Sequence, residues 1–250
     1  MRYDDHLRYE YEFETIDPLG RIGVIALATD FNIETDLRRL VPGGVEVLTN
    51  RVLNANPISL ESLRAMAPDI ARAGAGILPN VGVDAMIYAC TSGTAAIGEE
   101  NVEAAIHSVW PGIPVTNPLK SACAAFEALG AKRLSVLTPY VREVNETLVE
   151  ELVRRGFEIV NIGSFNIDSD FDATRIPSDA IAAAGRDLCD PSADVLFVSC
   201  TALRAAAVVE TLEADLGKPV VCSNQALAWH ALQLIGCDAR PTGFGRLFER

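Results

Sequence analysis

The chain states one phrase twice, and that repetition limits what it can fold into. Residues 84–91 read Asp-Ala-Met-Ile-Tyr-Ala-Cys-Thr, and residues 194–201 read Asp-Val-Leu-Phe-Val-Ser-Cys-Thr. Each opens on an Asp, runs through apolar residues and closes on a Cys-Thr pair, at Cys90-Thr91 and Cys200-Thr201. A short apolar run between breakers is the pattern of a strand buried in a parallel sheet. Two further stretches repeat in the same order. Arg21–Leu27 resembles Arg133–Pro139, 112 positions on, and Gly112-Ile-Pro-Val resembles Gly217-Lys-Pro-Val, 105 positions on. The Cys-Thr pairs are 110 apart. Three anchors in one order at nearly one offset read as a duplicated unit.

Strands and helices alternate, which argues for parallel sheets flanked by helices, an α/β fold. Strands are expected at Arg21–Leu27, Val45–Thr49, Asp84–Ala89, Ile113–Thr116, Arg133–Thr138, Phe157–Gly163, Asp194–Ser199 and Pro219–Cys222. Helical spacing covers Ser59–Gly74, Ala95–Val109, Lys120–Leu129, Glu143–Arg155, Ser178–Leu188, Ala202–Leu216 and Gln225–Ile235. The expected organisation is an N-terminal extension, 1–20, then a first lobe, 21–117, and a second, 118–222. The segment 223–250 packs back on the first lobe. The two lobes are related by a pseudo-twofold axis, with the site in the cleft between them.

A formal charge of −13 speaks against general binding to nucleic acid or to an anionic membrane. The first twenty residues hold no apolar stretch and no window reaches eighteen apolar residues, so a cytoplasmic enzyme is expected. The six cysteines show no CxxC spacing and no zinc-site pattern with the three histidines, His6, His107 and His230. Cys123, Cys189, Cys222 and Cys237 read as small buried hydrophobes. No GxGxxG follows the first strand, where Ala28-Thr29-Asp30 stands instead, so dinucleotide binding is discounted.

Ligands in open α/β sheets sit beyond the carboxyl ends of strands, where both Cys-Thr pairs lie. If the lobes face each other, Cys90 and Cys200 meet across one small ligand. One thiol can then take a proton from one face while the other returns a proton to the opposite face. Each Cys is expected just before a helix, whose free N–H groups favour thiolate and equally a bound carboxylate. Thr91, Ser92 and Gly93 can wrap a carboxylate, and Thr201 and Ala202 offer a smaller version. The same Ser and Thr residues can also serve as helix caps. Thr29 and Asp30 follow the first strand and Tyr140 follows the fifth, so all three should line the cleft. Tyr140 could donate to a ligand carboxylate or be a packed aromatic. Arg51 is a candidate carboxylate clamp or a surface arginine, and Asp170 a candidate second carboxylate of the cleft.

These residues resemble the Asp/Glu racemase superfamily, in the branch of maleate cis-trans isomerases, arylmalonate decarboxylases and the racemase-like protein of ectoine-utilisation clusters. The resemblance runs from Arg21 over nearly the whole chain. It is carried by Cys90-Thr-Ser-Gly, Thr138-Pro-Tyr140-Val, Asp194 through Cys200-Thr, and Pro219-Val-Val-Cys-Ser-Asn-Gln-Ala-Leu-Ala-Trp229. It implies chemistry without a cofactor and a small carboxylate substrate, with a homo-oligomer permitted. It also implies roles for the thiols. In racemases one cysteine removes the α-proton and the other reprotonates the opposite face. In maleate isomerases the cysteine matching Cys90 adds to the alkene and the one matching Cys200 supplies a proton. Decarboxylases keep only the second cysteine, so two here disfavour that activity. Maleate isomerases also carry an Asn where this chain has Asp30. An ionised Asp repels a carboxylate and favours an ammonium group. The expectation is therefore a racemase or isomerase of an amino acid or derivative, as in ectoine utilisation. Maleate isomerisation is the alternative, and a non-enzymatic ligand-binding module is a second one.

Overall fold

The computed structural model describes residues 10–16 and 18–250, so His6 and part of the 1–20 segment lie outside the described residues. Two four-stranded sheets share one strand order. The first contains β1 (Gly20–Leu27), β2 (Val45–Val52), β3 (Ala85–Ala89) and β4 (Val115–Thr116), ordered β2-β1-β3-β4. The second contains β5 (Arg133–Thr138), β6 (Glu158–Ser164), β7 (Val195–Val198) and β8 (Val220–Cys222), ordered β6-β5-β7-β8. Every pairing is parallel. The duplication read from the sequence is thus a duplication of topology, and the molecule has two lobes.

The Asp that opens each phrase has a structural task at the far end of the strand from the Cys. Asp84 accepts the Arg21 N–H at 2.7 Å, and Asp194 accepts the Arg133 N–H at 2.8 Å. Each Asp N–H in turn donates to the carbonyl of the same arginine at 2.8 Å. Both sheets are therefore pinned in register at the same point by the same pair of residue types. The Arg133 guanidinium also pairs with Asp194, whose carboxyl falls to a pKa of about 2.

Eleven α-helices among the described residues cover the sheets. They are α1 (Ile33–Leu40), α2 (Leu60–Arg64), α3 (Ala67–Ala75), α4 (Thr91–Ile97), α5 (Glu99–His107), α6 (Pro118–Leu129), α7 (Arg142–Arg154), α8 (Asp170–Arg175), α9 (Ser178–Leu188), α10 (Val209–Leu216) and α11 (Ser223–Leu234). The helical spacing of Ser59–Gly74 resolves into α2 and α3, with Pro68 in the first turn of α3, where it has no N–H to lose. That of Ala95–Val109 is broken at Gly98, whose φ of 92° ends α4 and starts α5. Helices α1 and α8, of 8 and 6 residues, are shorter than the window of about 11 residues over which a helical period can be read.

α11 leaves β8 of the second sheet and packs on α6, on α1 and on β3 of the first sheet. Its residues Ala226, Leu227, Ala228, Trp229, Ala231 and Leu232 are buried, which is why a helix this apolar all round can exist here. No helix among the described residues is long and apolar enough to cross a membrane.

Candidate active site

Cys90 ends the run that begins with β3 and caps α4. Its sulfur accepts the Gly93 N–H at 3.1 Å, and Ser92 Oγ lies 3.7 Å away. The glycine is required by space. A Cβ on Gly93 would sit 2.8 Å from Cys90 Sγ, 2.7 Å from the Tyr88 hydroxyl and 3.1 Å from Met66 Cε. Tyr88 therefore stands beside the thiol, fully buried, and its hydroxyl has no hydrogen-bond partner. The strand period could have found it: residues two apart point to the same face, so Tyr88 follows from Cys90.

Cys200 follows β7 with a φ of 136°, a backbone state that costs an L residue energy and persists only when its surroundings enforce it. What enforces it is α11. The Cys200 N–H donates to Ser223 Oγ at 3.0 Å, and Ser223 Oγ lies 3.1 Å from Thr91 Oγ1. One hydroxyl therefore joins the two Cys-Thr turns. The sequence places a helix directly after Cys200, but here it differs. Residues 201–203 form a bend, a 3-10 turn covers Ala205–Val208, and α10 begins only at Val209. Thr201 instead directs its hydroxyl to the Ala89 carbonyl at 3.4 Å, another link between the lobes.

Both thiols are buried, Cys90 at 3% and Cys200 at 5% exposure, and this reverses the expected acidity. Burial and then the charge of Asp170 push Cys90 up to about 12, against the Gly93 N–H and Ser92. The same two causes raise Cys200, opposed by the Tyr140 hydroxyl and the Ala202 N–H. Asp30 raises both thiols further. The two thiols are therefore held protonated, and the helix N-terminus does not overcome desolvation.

Tyr140 is buried at the turn after β5 and its hydroxyl faces Cys200. Burial and then Cys200 and Cys90 hold its proton well above the ordinary tyrosine range, so it stays a donor. Its backbone is locked. The N–H donates to Thr138 Oγ1 at 3.2 Å, and the carbonyl accepts from Asn145 Nδ2 at 2.9 Å and from the Ser164 hydroxyl.

Asp30 and Asp170 reach the site from opposite lobes. Asp30 Oδ1 accepts the N–H groups of Asn32 at 2.8 Å and Ile33 at 3.0 Å, and so starts α1. Its other oxygen, Oδ2, is buried without a partner. Asp170 heads α8, and its Oδ2 accepts from Thr29 Oγ1 at 2.6 Å and Asn54 Nδ2 at 3.1 Å. Burial raises both carboxyls above the ordinary Asp range, and Asp30 raises Asp170 further. The following residues also meet: the rings of Phe31 and Phe171 lie 5.9 Å apart, each about half exposed.

Several candidates lie elsewhere. Arg51 is no clamp for a ligand in this arrangement. Its guanidinium donates to the Leu27 and Asp30 carbonyls and pairs with Glu34 at 2.6 Å. Asn32, beside Asp30, gives its amide to Asp36 Oδ2, the Thr201 carbonyl and the Leu203 carbonyl. It is thus a strut between lobes. His107 meets the Ile113 carbonyl and His230 meets Thr116, both away from the thiols. Cys123, Cys222 and Cys237 are buried, whereas Cys189 is only half-buried. A groove of about 560 Å³ between α7 and β6 shares only Tyr140 with the site. Among the described residues no group of three or more His, Cys, Asp or Glu is arranged to hold a metal ion.

Comparison with known proteins places these residues in a lineage. The family described as arylmalonate decarboxylase matches residues 51–248. The maleate isomerase of Nocardia farcinica is 27% identical over 243 residues, covering 93% of this chain and 96% of its own. The arylmalonate decarboxylase of Bordetella bronchiseptica is 28% identical over 198 residues, covering 76% and 78%. Among solved structures, a Cys→Ser mutant of the Nocardia farcinica maleate cis-trans isomerase carries a covalently bound succinylcysteine intermediate. It superposes with a TM-score of 0.83 at 26% identity, over 92% of this chain and 98% of its own.

Proposed function

This chain belongs to the arylmalonate decarboxylase family, and on that premise we propose that it is an isomerase in which Cys90 and Cys200 act on opposite faces of one small carboxylate. The family and its relatives support a cysteine-based isomerase or decarboxylase that needs no cofactor. The observation that carries the finer reading is that the two cysteine turns meet: Ser223 Oγ accepts the Cys200 N–H at 3.0 Å and lies 3.1 Å from Thr91 Oγ1, and the Thr201 hydroxyl reaches the Ala89 carbonyl at 3.4 Å. A decarboxylase needs one thiol as acid. Two thiols on adjoining turns suit removal of a proton on one side and its return on the other.

In the proposed reaction one cysteine, as thiolate, takes the proton from the carbon next to the substrate carboxylate. The C–H electrons move into that carboxylate as an enediolate. The other thiol then delivers its proton to the opposite face, the configuration inverts, and the charge has passed from one sulfur to the other. The carboxylate lies against Thr91, Ser92 and Gly93 on one side and Thr201 and Ala202 on the other, with the Tyr140 hydroxyl as a further donor. Thr29 and Asp30 line the first lobe's wall. The division into 21–117 and 118–222, with 223–250 returning to the first lobe, belongs to the same proposal. The seat of α11 on α1 and β3 supports it for that helix, which also packs on α6, whereas Arg246 beyond it returns to Glu213 and Gly217 of the second lobe.

The substrate favoured by Asp30 is an amino acid or derivative, of the kind an ectoine-utilisation enzyme would meet. The alternative is conversion of maleate to fumarate, in which Cys90 Sγ adds to the alkene and Cys200 supplies the proton. After rotation about the new single bond the steps reverse. The four maleate isomerases among the relatives favour it. The test is proton NMR in deuterated water with wild type, Cys90→Ala and Cys200→Ala. Deuterium entering an α-carbon and lost in both variants supports two-thiol chemistry. Fumarate appearing from maleate selects the alternative. Exchange that survives in both variants sinks the proposal.

A further inference from the structure

We propose that Asp30 and Asp170, one from each lobe, form a paired-carboxylate seat for a cationic nitrogen of the substrate, so that the site selects a zwitterionic carboxylate over a dicarboxylate. The inference rests on the two-thiol reading of an amino-acid substrate above and adds to it a second carboxylate, Asp170, and the exclusion of dicarboxylates.

The two acids meet through their neighbours on both sides. Thr29, just before Asp30, donates its hydroxyl to Asp170 Oδ2 at 2.6 Å, and Phe31, just after it, packs its ring on Phe171. The Asp30 carboxyl is 1% exposed, and its Oδ2 has no partner. The Thr201 hydroxyl lies close enough to ease the Asp30 carboxylate, but its one proton is directed at the Ala89 carbonyl at 3.4 Å. A buried carboxylate oxygen without a donor is costly unless a ligand supplies one. The nearest fixed cation cannot supply it, because the Arg51 guanidinium is spent on two carbonyls and Glu34.

The sign of the pocket follows. Both acids act on both thiols and raise them, so a second substrate carboxylate would enter a field that already opposes negative charge. An ammonium or amidinium group reverses this. It gives Asp30 Oδ2 its missing N–H, bridges to Asp170, and offsets the negative charge that adds to burial in keeping the thiols protonated. The nitrogen on the reacting carbon also makes its proton more acidic. Seats drawn from both lobes fix the substrate between the two sulfurs.

The test reads binding separately from turnover. Thermal melting of wild type, Asp30→Asn and Asp170→Asn is followed with L-2-aminobutyrate, L-2,4-diaminobutyrate, succinate or maleate at equal concentration. Asn keeps the shape of Asp, and its oxygen can still accept the N–H groups at the start of α1. The expected result is that the amino acids raise the wild-type melting temperature and the diacids do not. Asp30→Asn and Asp170→Asn should each weaken amino-acid binding by about tenfold or more. Asp30→Asn should also let a diacid stabilise the protein. Stabilisation of wild type by succinate or maleate at least equal to that by the amino acids overturns the inference, as does no stabilisation by either amino acid. So does an unchanged preference in both variants. Loss of thiol dependence in the deuterium experiment, with the amino-acid preference intact, would overturn the two-thiol reading and leave the seat standing.

Discussion

Ser223 Oγ accepts the Cys200 N–H at 3.0 Å while lying 3.1 Å from Thr91 Oγ1, so one hydroxyl from α11 holds both cysteine turns. Ser223→Ala leaves the Cys200 N–H buried without an acceptor and frees a residue whose φ of 136° needs enforcement. The expected cost is about 1–2 kcal/mol of stability, read by urea denaturation. Turnover should fall by a larger factor than stability alone predicts, because both turns lose their common tie. An activity equal to wild type would show that the turns hold themselves.

Gly93 has room for nothing larger than hydrogen. Gly93→Ala places a methyl group 2.8 Å from Cys90 Sγ and 2.7 Å from the Tyr88 hydroxyl, and neither can retreat within a packed strand end. Overpacking of this kind costs about 1–3 kcal/mol. The melting temperature should drop and the Cys90 turn should lose activity even where the protein stays folded. Retention of full activity would mean that the thiol does not need its present position.

Alkaline pH should destabilise the protein earlier than an exposed-thiol protein. Burial holds Cys90, Cys123 and Cys222 up to about 12 and raises Cys200 as well, against about 8.5 in an unfolded chain. Between those values the folded state binds more protons than the unfolded state, so stability present below about pH 8.5 is lost as pH rises. The slope approaches about 1.4 kcal/mol per pH unit for each such thiol. Urea midpoints at pH 7.5 and 9.5 check this, and Cys222→Ala should shallow the slope. A flat profile would show that the thiols titrate normally.

Asn32 joins α1 to the second lobe through the Thr201 and Leu203 carbonyls, and with Asn224 it satisfies the buried Asp36 carboxylate. Asn32→Ala removes three bonds at once, and about 2–3 kcal/mol of stability should go with them. The loss should grow with pH above the ordinary Asp range. Asp36 is already raised by burial, and it would then keep one amide donor when ionised. Denaturation at pH 5 and pH 7 separates that effect from a simple loss of contacts.

The sequence made the fold legible where two levels agreed. Apolar runs bounded by breakers predicted eight strands, and the two Asp-to-Cys phrases predicted that the sheets would match. The reason the Asp belongs to the phrase was not legible, since its partner is the main chain of an arginine some sixty residues away in sequence. Cys90, Cys200, Asp30, Tyr140 and Thr201 could be singled out because strand ends are where ligands sit. Their acidity could not. Helix termini are visible in a sequence, whereas desolvation depends on what the rest of the chain places around a sulfur. Asp170 was hard to place because it sits on a short helix without a period. Ser223 could not be singled out because its second partner, Thr91, is 132 positions away.

The crossing of α11 bears on how such a chain could have arisen. The helix grows out of the second sheet, lies on the first, and contributes the hydroxyl that braces both thiol turns. A half-length chain with one sheet and one cysteine would lack this brace, because Ser223 ties a turn of each lobe and stands on a helix that only the second sheet leads into.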